Sequence, residues 1–353
     1  MEFLFTAPPL GPASIEVAPG LYWVRLPMPL KLDHVNVWLG VDDHGWTLID
    51  TGLNTADTRN IWDVVRAELL VGHPVRRLIV THGHSDHIGL AGPLCQDTGA
   101  VLHTPILEWT AARLRLAANP VQSRAARSYY LRHGCTDDEV TQIQAGQATI
   151  QDFFAELPEY FVRIRHGQQI TFAGRTWHTV TFGGHANEHL SFYSEADHIL
   201  IAGDQVLSHI TPLIGVGANE PWGDPLKDYL DSLDWFAALP EDTLVLPSHG
   251  LPFRGLWPRV EAIRAHHRKR LAAIHRAASP SSTAMDIARA MFPRAAENGH
   301  AGLALAETLA HLNRLVAETK VHAVSDREGR IEFRSAAPCS SVATLRPAEF
   351  LER

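Results

Sequence analysis

The chain has 353 residues, of which 45% are apolar and 20% charged, and this composition is typical of a globular protein. Its formal net charge of −8 disfavours a dedicated nucleic-acid-binding protein, which would need a positively charged surface. The 21 histidines outnumber the three cysteines and four methionines together, and they are the main anomaly in the composition.

Charge is distributed unevenly along the sequence. Residues 255–353 contain 15 Lys and Arg against 10 Asp and Glu, a formal charge of +5, so the first 254 residues carry −13. This asymmetry predicts two regions with different roles.

The cysteines and the N-terminal residues bear on the compartment. Cys95, Cys135 and Cys339 are odd in number and form no CxxC pair, so they indicate neither a disulfide framework nor a thiolate metal site. The first residues lack the basic and apolar segments of a signal peptide, and no run reaches the ~18 apolar residues of a membrane span. A cytoplasmic protein is therefore expected.

The first third of the chain alternates between strand and helix patterns. Residues 21–50 are rich in β-branched and aromatic residues and contain a hairpin-type turn. A capped amphipathic helix is predicted within 51–72, a buried strand at 76–82, a further helix at 88–98 and a strand at 100–104. This order indicates a layered α/β architecture.

Residues 105–165 form a predominantly helical segment that is rich in aromatic residues. Such a segment between strand-rich regions is consistent with an insertion that caps a site. It is equally consistent with an elaborated helical layer, and the sequence leaves both interpretations open.

The pattern changes again in the second half of the chain. Strands are predicted at 168–174, 175–184, 189–204 and 243–250. After Pro258 the chain becomes helical, and a hairpin-like segment follows at 321–333. Helices followed by a two-stranded hairpin are the outline of a winged-helix module.

One motif carries most of the chemical information. THGHSDHIG, residues 81–89, places His82, His84, Asp86 and His87 directly after a predicted strand. Titratable groups this close repel one another when charged and lose solvation when buried, so folding alone does not favour them. Zinc and similar cations bind imidazole nitrogen and carboxylate oxygen together. The four side chains cannot all reach one tetrahedral ion without strain, so two ions fit better.

Further ligands are expected at other strand ends. His185 in GGHANEH, Asp204 in HILIAGDQ and His249 in LVLPSHG each follow a predicted strand and have a small neighbour. A small residue allows the backbone to approach a crowded ion. The combined set of seven ligands predicts a binuclear metal site.

These motifs, in this order, resemble those of the metallo-β-lactamase-fold hydrolase superfamily. LIDTG at 48–52 matches its early Asp-Thr-Gly turn, and the resemblance covers about residues 20–255. The remaining residues resemble the winged-helix extension of the subgroup that includes the β-lactamase-like protein 2 proteins. The resemblance implies an α/β, four-layer αββα sandwich at 1–257, with a helical insertion or lid at 105–165. It also implies a winged-helix-like domain at 258–353.

The resemblance also implies a role for each residue. His82, His84 and His185 would bind the first metal, and Asp86, His87 and His249 the second. Asp204 would bridge both ions, and Asp50 would orient the ligand loop without binding metal. Both ions are expected to be zinc, with iron or manganese as alternatives. Because an aspartate stands where many true β-lactamases have a thiolate, the pattern is closer to the glyoxalase II, lactonase and nuclease branches.

The implied activity is hydrolysis by a metal-bridging hydroxide, with Asp86 and Asp204 as catalytic residues. The acidic first region and the aromatic insertion favour a small acyl substrate, namely a thioester, ester or lactone. A single-strand-specific endoribonuclease or phosphodiesterase is the alternative, and a non-hydrolytic activity is a third. A homodimer is a further expectation, whereas a nucleic-acid or membrane partner is disfavoured.

Several other residues are weaker candidates. His189, His209, Asn187 and Ser208 lie near predicted ligands in the sequence. Five aromatic residues would line a substrate pocket or, as is more common for aromatics at helical spacing, belong to the hydrophobic core. They are Tyr129, Tyr130, Phe153, Phe154 and Phe161. Trp222 and Asp224 would border the site or form a turn. Residues 266–270, HHRKR, would form a solvated helix face rather than a phosphate contact.

Overall fold

The computed structural model describes residues 1–29, 32–117, 124–297 and 299–336. By its internal packing, the chain divides into two compact units. The first unit comprises Met1–Ala118, Ile150–Pro212 and Asp234–Val260. The second unit comprises Asn119–Thr149, Leu213–Leu233 and Glu261–Arg353.

The first unit contains a mixed sheet that presents the N-terminal half of the site. Its strand order is β2-β3-β4-β5-β6-β7-β8, antiparallel from β2 to β5 and parallel from β5 to β8. The strands are β2 (Ser14–Ala18), β3 (Leu21–Pro27), β4 (His34–Asp42), β5 (Gly45–Ile49), β6 (Val75–Ile79), β7 (Val101–Thr104) and β8 (Val162–Arg163).

A second mixed sheet presents the C-terminal half. Its order is β1-β14-β13-β12-β11-β10-β9, with β12 and β13 parallel and the other pairs antiparallel. The strands are β1 (Glu2–Phe3), β9 (Gln169–Phe172), β10 (Arg175–Phe182), β11 (His189–Ser194), β12 (Ile199–Gly203), β13 (Leu244–Pro247) and β14 (Phe253–Arg254).

Alternation along the strands explains why the two sheets stack. Trp23 on β3 faces a core shared with the second sheet, which also contains Trp177 and Phe192. Val24, its neighbour in sequence, faces the opposite side and packs with Trp62 from a helix. Successive side chains of a strand point to opposite faces, so one strand contributes to two cores.

Helices flank the sheets. Those of the first half are α1 (Ala56–Glu68), α2 (Ser85–Ile88), α3 (Ala91–Thr98) and α4 (Ile106–Ala117). On the second sheet, the β10 residue Phe182 packs against Trp235 and Phe236 of α7 (Pro225–Ala237). The fold is therefore α/β, with two mixed sheets flanked by helices, and the predicted fold class is confirmed.

Local sequence accounts for several element ends. Thr55 caps α1, accepting a hydrogen bond from the Thr58 backbone N–H at 3.2 Å. Asp42 pairs with Gly45 across the β4–β5 turn, and Gly45 has a φ of 125° that an L-residue side chain disfavours. Both the capped helix and the hairpin were predicted.

The described residues of 105–165 form three helices, α4, α5 (Arg124–Arg132) and α6 (Asp137–Gln151). Helix α4 belongs to the first unit, whereas α5 and most of α6 belong to the second. The helical content of this segment was predicted, and its action as a lid stays a prediction.

The second unit contains a small three-stranded sheet. Strand β15 (Ser282–Thr283) pairs with β17 (Ile331–Ser335), which also pairs with β16 (Val321–Ser325). The remaining helices are α8 (Leu256–Ala277), α9 (Ala284–Met291), α10 (Pro293–Glu297) and α11 (Ala301–Ala317). The predicted hairpin at 321–333 is thus β16–β17. The predicted domain boundary at 257/258 lies near Glu261, where the last segment of the second unit begins, and it stays a prediction.

Candidate metal centre

The predicted ligands all follow the ends of strands in the first unit. His82 and His84 lie in the loop after β6, and Asp86 and His87 lie on the short helix α2. His185 follows β10, and the remaining two ligands end the parallel strands β12 and β13, as Asp204 and His249. Because parallel strands end at the same edge of a sheet, their polar side chains meet there.

Three histidines, here called the histidine trio, bring one nitrogen each to a common point. They are His82, His84 and His185. The His84 Nδ1 lies 2.9 Å from the His82 Nε2 and 3.1 Å from the His185 Nε2, and those two Nε2 atoms are 3.2 Å apart. Ligands about 2.0–2.1 Å from a tetrahedral ion lie ~3.3 Å from one another, so this triangle is close to the size a metal requires.

A second group, here called the mixed trio, consists of Asp86, His87 and His249. The Asp86 Oδ2 lies 3.3 Å from the His87 Nε2 and 3.4 Å from the His249 Nε2. Nitrogen and oxygen donors at this spacing also suit a divalent cation.

Asp204 faces both trios. Its Oδ1 lies 3.4 Å from both the His87 Nε2 and the His249 Nε2, and its Oδ2 lies 3.3 Å from the His185 Nε2. One carboxylate therefore offers one oxygen to each trio. The seven side chains predicted as ligands are brought together in one cluster of His and Asp donors, which indicates a binuclear metal site.

The burial of these donors tests whether a cation fits. The His87 Nε2 and the Asp204 Oδ1 are buried and have no hydrogen-bond partner in the described part of the chain. Buried polar atoms are normally paired, because an unpaired one loses its hydration without compensation. A bound cation would provide that missing partner for both atoms.

Electrostatics favours a positive charge in the mixed trio. Burial alone would lower the pKa of His249, but the carboxylates of Asp204 and Asp86 raise it to about 10. Burial likewise opposes the charge on His87, and Asp86, Asp50 and Asp204 nevertheless raise its pKa well above the usual value. Without a metal, protons on these rings therefore balance the carboxylates.

The histidine trio has the opposite tendency. Burial and the neighbouring imidazoles hold the pKa values of His82 and His84 well below their usual range. Both rings are therefore neutral near pH 7, and the neutral imidazole is the form that binds metal.

Asp50 orients His87 and the loop after β6. The Asp50 Oδ2 lies 2.8 Å from the His87 Nδ1, and the Asp50 Oδ1 accepts a hydrogen bond from the Thr81 backbone N–H at 2.8 Å. Asp50 has a φ of 66°, a left-handed conformation that costs an L-residue about 1–3 kcal/mol. This conformation turns the carboxylate towards Thr81 and His87, so that the His87 Nε2 faces the cluster.

His189 orients Asp204 in a similar way. The Asp204 backbone N–H donates to the His189 Nε2 at 3.0 Å. The ring lies so close to the chain that a Cβ at Gly203, where φ is 57°, would be 2.5 Å from it. His189, a weak candidate in the sequence, therefore contacts the ligand-bearing strand end.

Sequence reasoning missed two contacts with ligand loops. The backbone carbonyl of His34, on β4, accepts from the His249 Nδ1 at 2.6 Å. The buried carboxylate of Glu108 lies beside the backbone of the histidine trio. Neither residue has a motif around it, and only the tertiary structure brings them to the site.

The other weak candidates from the sequence differ in their burial. Ser208 is buried against Gly250, Asn187 is exposed, and His209 is exposed with its ring 5.0 Å from that of Phe3. Five aromatic candidates are buried or pack against a hydrophobic core, which is the commoner of the two expectations, and a substrate pocket lined by them stays a prediction: Tyr129, Tyr130, Phe153, Phe154 and Phe161.

Two predictions concern the second unit. Asp224 forms a 3.1 Å ion pair with Arg314, while Trp222 is partly buried. The expectation that 266–270 is a solvated face is wrong in part. His267 is buried and Arg270 pairs with Glu307, because α8 packs against α11 there.

No helix in the described residues is long and apolar enough to cross a membrane. Sequence profiles match two stretches of the chain. Residues 30–249 match the Metallo-beta-lactamase superfamily, and residues 271–336 match the Metallo-beta-lactamase-like, C-terminal domain.

Two solved structures are similar over nearly the whole chain. A beta-lactamase domain protein from Burkholderia ambifaria is 35% identical with a TM-score of 0.84, covering 94% of this chain and 98% of that one. The metallo-beta-lactamase family protein TTHA1429 from Thermus thermophilus is 29% identical with a TM-score of 0.78, covering 91% and 100%. Among curated proteins, the Probable metallo-hydrolase YqjP of Bacillus subtilis is 25% identical over 84% of this chain and 92% of its own length.

Proposed function

The chain belongs to the metallo-beta-lactamase superfamily, and from this premise we propose that it is a binuclear zinc hydrolase of small acyl compounds. The proposed substrates are thioesters, esters or lactones. The observation that carries the proposal is the position of Asp204, which turns one oxygen to each trio while its Oδ1 and the His87 Nε2 are buried without a hydrogen-bond partner among the described residues.

The proposed ligand assignment follows from these contacts. His82, His84 and His185 would hold one ion, and Asp86, His87 and His249 would hold the other, with Asp204 available to both. Two bound divalent cations would lower the pKa of a coordinated water and polarise the carbonyl oxygen that gains negative charge. The donor set of nitrogen and oxygen suits zinc, and also iron or manganese.

Residues at the cluster orient the ligand histidines and provide a group for proton transfer. Asp50 and the His34 carbonyl each hold the Nδ1 of a ligand histidine, so the Nε2 atoms of His87 and His249 point inward. Asp86 is the more exposed of the two catalytic aspartates, with 14% side-chain exposure against 9% for Asp204. This difference supports the proposal that Asp86 passes a proton to the leaving group, while Asp204 holds the cluster together.

Charge supports the small acyl substrate over a nucleic acid. The first 254 residues, which contain the cluster, carry −13, and a polyanion would be repelled by such a region. RNA is the substrate of the alternative proposal, a single-strand-specific endoribonuclease or phosphodiesterase, and the +5 charge of residues 255–353 favours it.

Other proposals concern the whole protein. Helices α9 and α11 precede the β16–β17 hairpin in the chain, and β15, which follows α8, completes a sheet of order β15-β17-β16. This arrangement supports a winged-helix-like second domain. A cytoplasmic location and a homodimer also stay proposals.

Activity profiling tests the function. The zinc-loaded protein is assayed on thioesters, esters, lactones, β-lactams and single-stranded RNA, beside His84→Ala and Asp204→Ala. His178→Ala, which removes a histidine that is 39% exposed on β10, is the matched control. We expect acyl hydrolysis that both cluster variants lose and the control retains. Cleavage of RNA alone would contradict the substrate class.

A further inference from the structure

Glu108, in the first turn of α4, contacts the turn between two ligands of the histidine trio. Its Oε2 accepts a hydrogen bond from the Gly83 backbone N–H at 2.8 Å, and Gly83 stands between His82 and His84. The approach is close, because a Cβ at Gly83 would lie 2.7 Å from the Glu108 backbone oxygen.

The other oxygen of the same carboxylate holds the third ligand's loop. The Glu108 Oε1 accepts from the Glu188 backbone N–H at 2.6 Å, three residues after His185. Glu188 reciprocates, since its Oε2 accepts from the Leu107 backbone N–H at 3.2 Å. Two hydrogen bonds thus link helix α4 to the His185 loop, one accepted by Glu108 and one accepted by Glu188.

The Glu108 carboxylate is buried, so bulk water cannot replace these two hydrogen bonds. Glu108 is only 2% exposed, and each of its oxygens faces a different backbone N–H. An acidic residue in a first helical turn commonly accepts from the N–H groups of its own helix. Here the carboxylate faces away from α4 and joins the loops of His84 and His185, which lie 101 residues apart.

We propose that Glu108 is a positioning residue that sets the spacing of the His82, His84 and His185 nitrogens for metal. One rigid group holds both backbone segments, so the nitrogen triangle is preformed before a cation binds. This inference rests on the proposed ligand assignment. Partners that orient metal ligands typically contribute about 10–100-fold to metal affinity.

Cobalt(II) binding to three variants tests the proposal. In Glu108→Gln, one amide oxygen remains to accept, and the amide N–H₂ faces the second backbone N–H. We expect one of the two Co²⁺ equivalents to bind about 10–100-fold more weakly, with a changed visible absorption spectrum. Glu108→Asp retains both acceptor oxygens and should restore part of the affinity. The matched control is Glu307→Gln, which removes another largely buried carboxylate, in the second unit.

The outcomes separate this inference from the proposed function. If the wild-type protein binds no Co²⁺, the ligand assignment fails and the inference fails with it. If the wild type binds two equivalents and Glu108→Gln does so with unchanged affinity and spectrum, only the role of Glu108 is overturned.

Hydrogen exchange in the metal-free wild-type protein provides a test that needs no variant. The Gly83 and Glu188 amides should exchange slowly, because Glu108 holds both without a metal. Exchange at the rate of a free loop would overturn the proposal.

Discussion

Asp50 combines an unfavourable backbone conformation with a specific contact. Its φ of 66° and its 2.8 Å contact with the His87 Nδ1 occur at one residue, where strain persists because the surrounding contacts fix it. The sequence predicted this role, since LIDTG identified Asp50. It did not predict the roles of His34 and Glu108, because a single backbone carbonyl or a helical glutamate has no distinguishing pattern.

Asp50→Asn tests this orientation. Asparagine tolerates the left-handed conformation, so the fold should be retained, but the charge that pairs with His87 is lost. We expect about 10–100-fold weaker binding of one zinc ion, measured by equilibrium dialysis. Asp42→Asn, at the β4–β5 turn, serves as the control, and an unchanged affinity in Asp50→Asn would contradict the role.

Protons and metal should compete for the mixed trio. The pKa of His249 is raised to about 10, so the ring is protonated in the metal-free protein at pH 7 and must lose that proton when an ion binds. Metal affinity should therefore fall as the pH falls. Calorimetric titration with zinc in buffers of different ionisation enthalpy measures the number of protons released on binding. We expect about one proton or more per protein, because a ligand ring must be neutral to bind. Zero release would be inconsistent with a protonated His249.

At the scale of elements, the strand ends that carry ligands were predictable, whereas the packing of the helical segment was not. THGHSDHIG, GGHANEH and LVLPSHG each combine an apolar strand with polar residues at its end, and tertiary packing only had to bring these ends to one edge. Residues 105–165 have helical periodicity without a chemical motif. Periodicity identifies a helix but does not reveal which unit it packs into. Here α4 belongs to the first unit and α5 to the second.

A buried histidine makes the second unit sensitive to acid. His133, on the segment after α5, is 1% exposed, neither ring nitrogen has a hydrogen-bond partner among the described residues, and burial lowers its pKa to about 3. Its ring centroid lies 4.8 Å from that of Tyr129 and 6.2 Å from that of Phe333. Burial among such neighbours favours the neutral form of the ring.

The sign of the effect follows from linkage. Below the unfolded pKa of ~6.5 the unfolded chain binds a proton that folded His133 does not, so stability falls as the pH falls towards 3. By pH ~5 this one residue should cost about 2 kcal/mol. His133→Phe should lessen the difference in unfolding free energy between pH ~7 and pH ~5 by that amount, measured by urea denaturation. An identical difference in the variant would refute the linkage.

At the scale of the whole molecule, sequence and structure agree on the layers and on the cluster. The order of motifs was sufficient for the α/β fold, because each motif ends a strand that the fold places at one edge. Substrate choice depends on surfaces that no motif describes. The five aromatic candidates are buried or pack against a hydrophobic core, so the proposed substrate class rests on charge.

The most direct test of the central claim is a crystal structure of the zinc-loaded protein with anomalous scattering at the zinc edge. A binuclear centre predicts two peaks about 3.5–4 Å apart, one beside the histidine trio and one beside the mixed trio, with Asp204 contacting both. A single peak, or two peaks with Asp204 bound to neither ion, would contradict it.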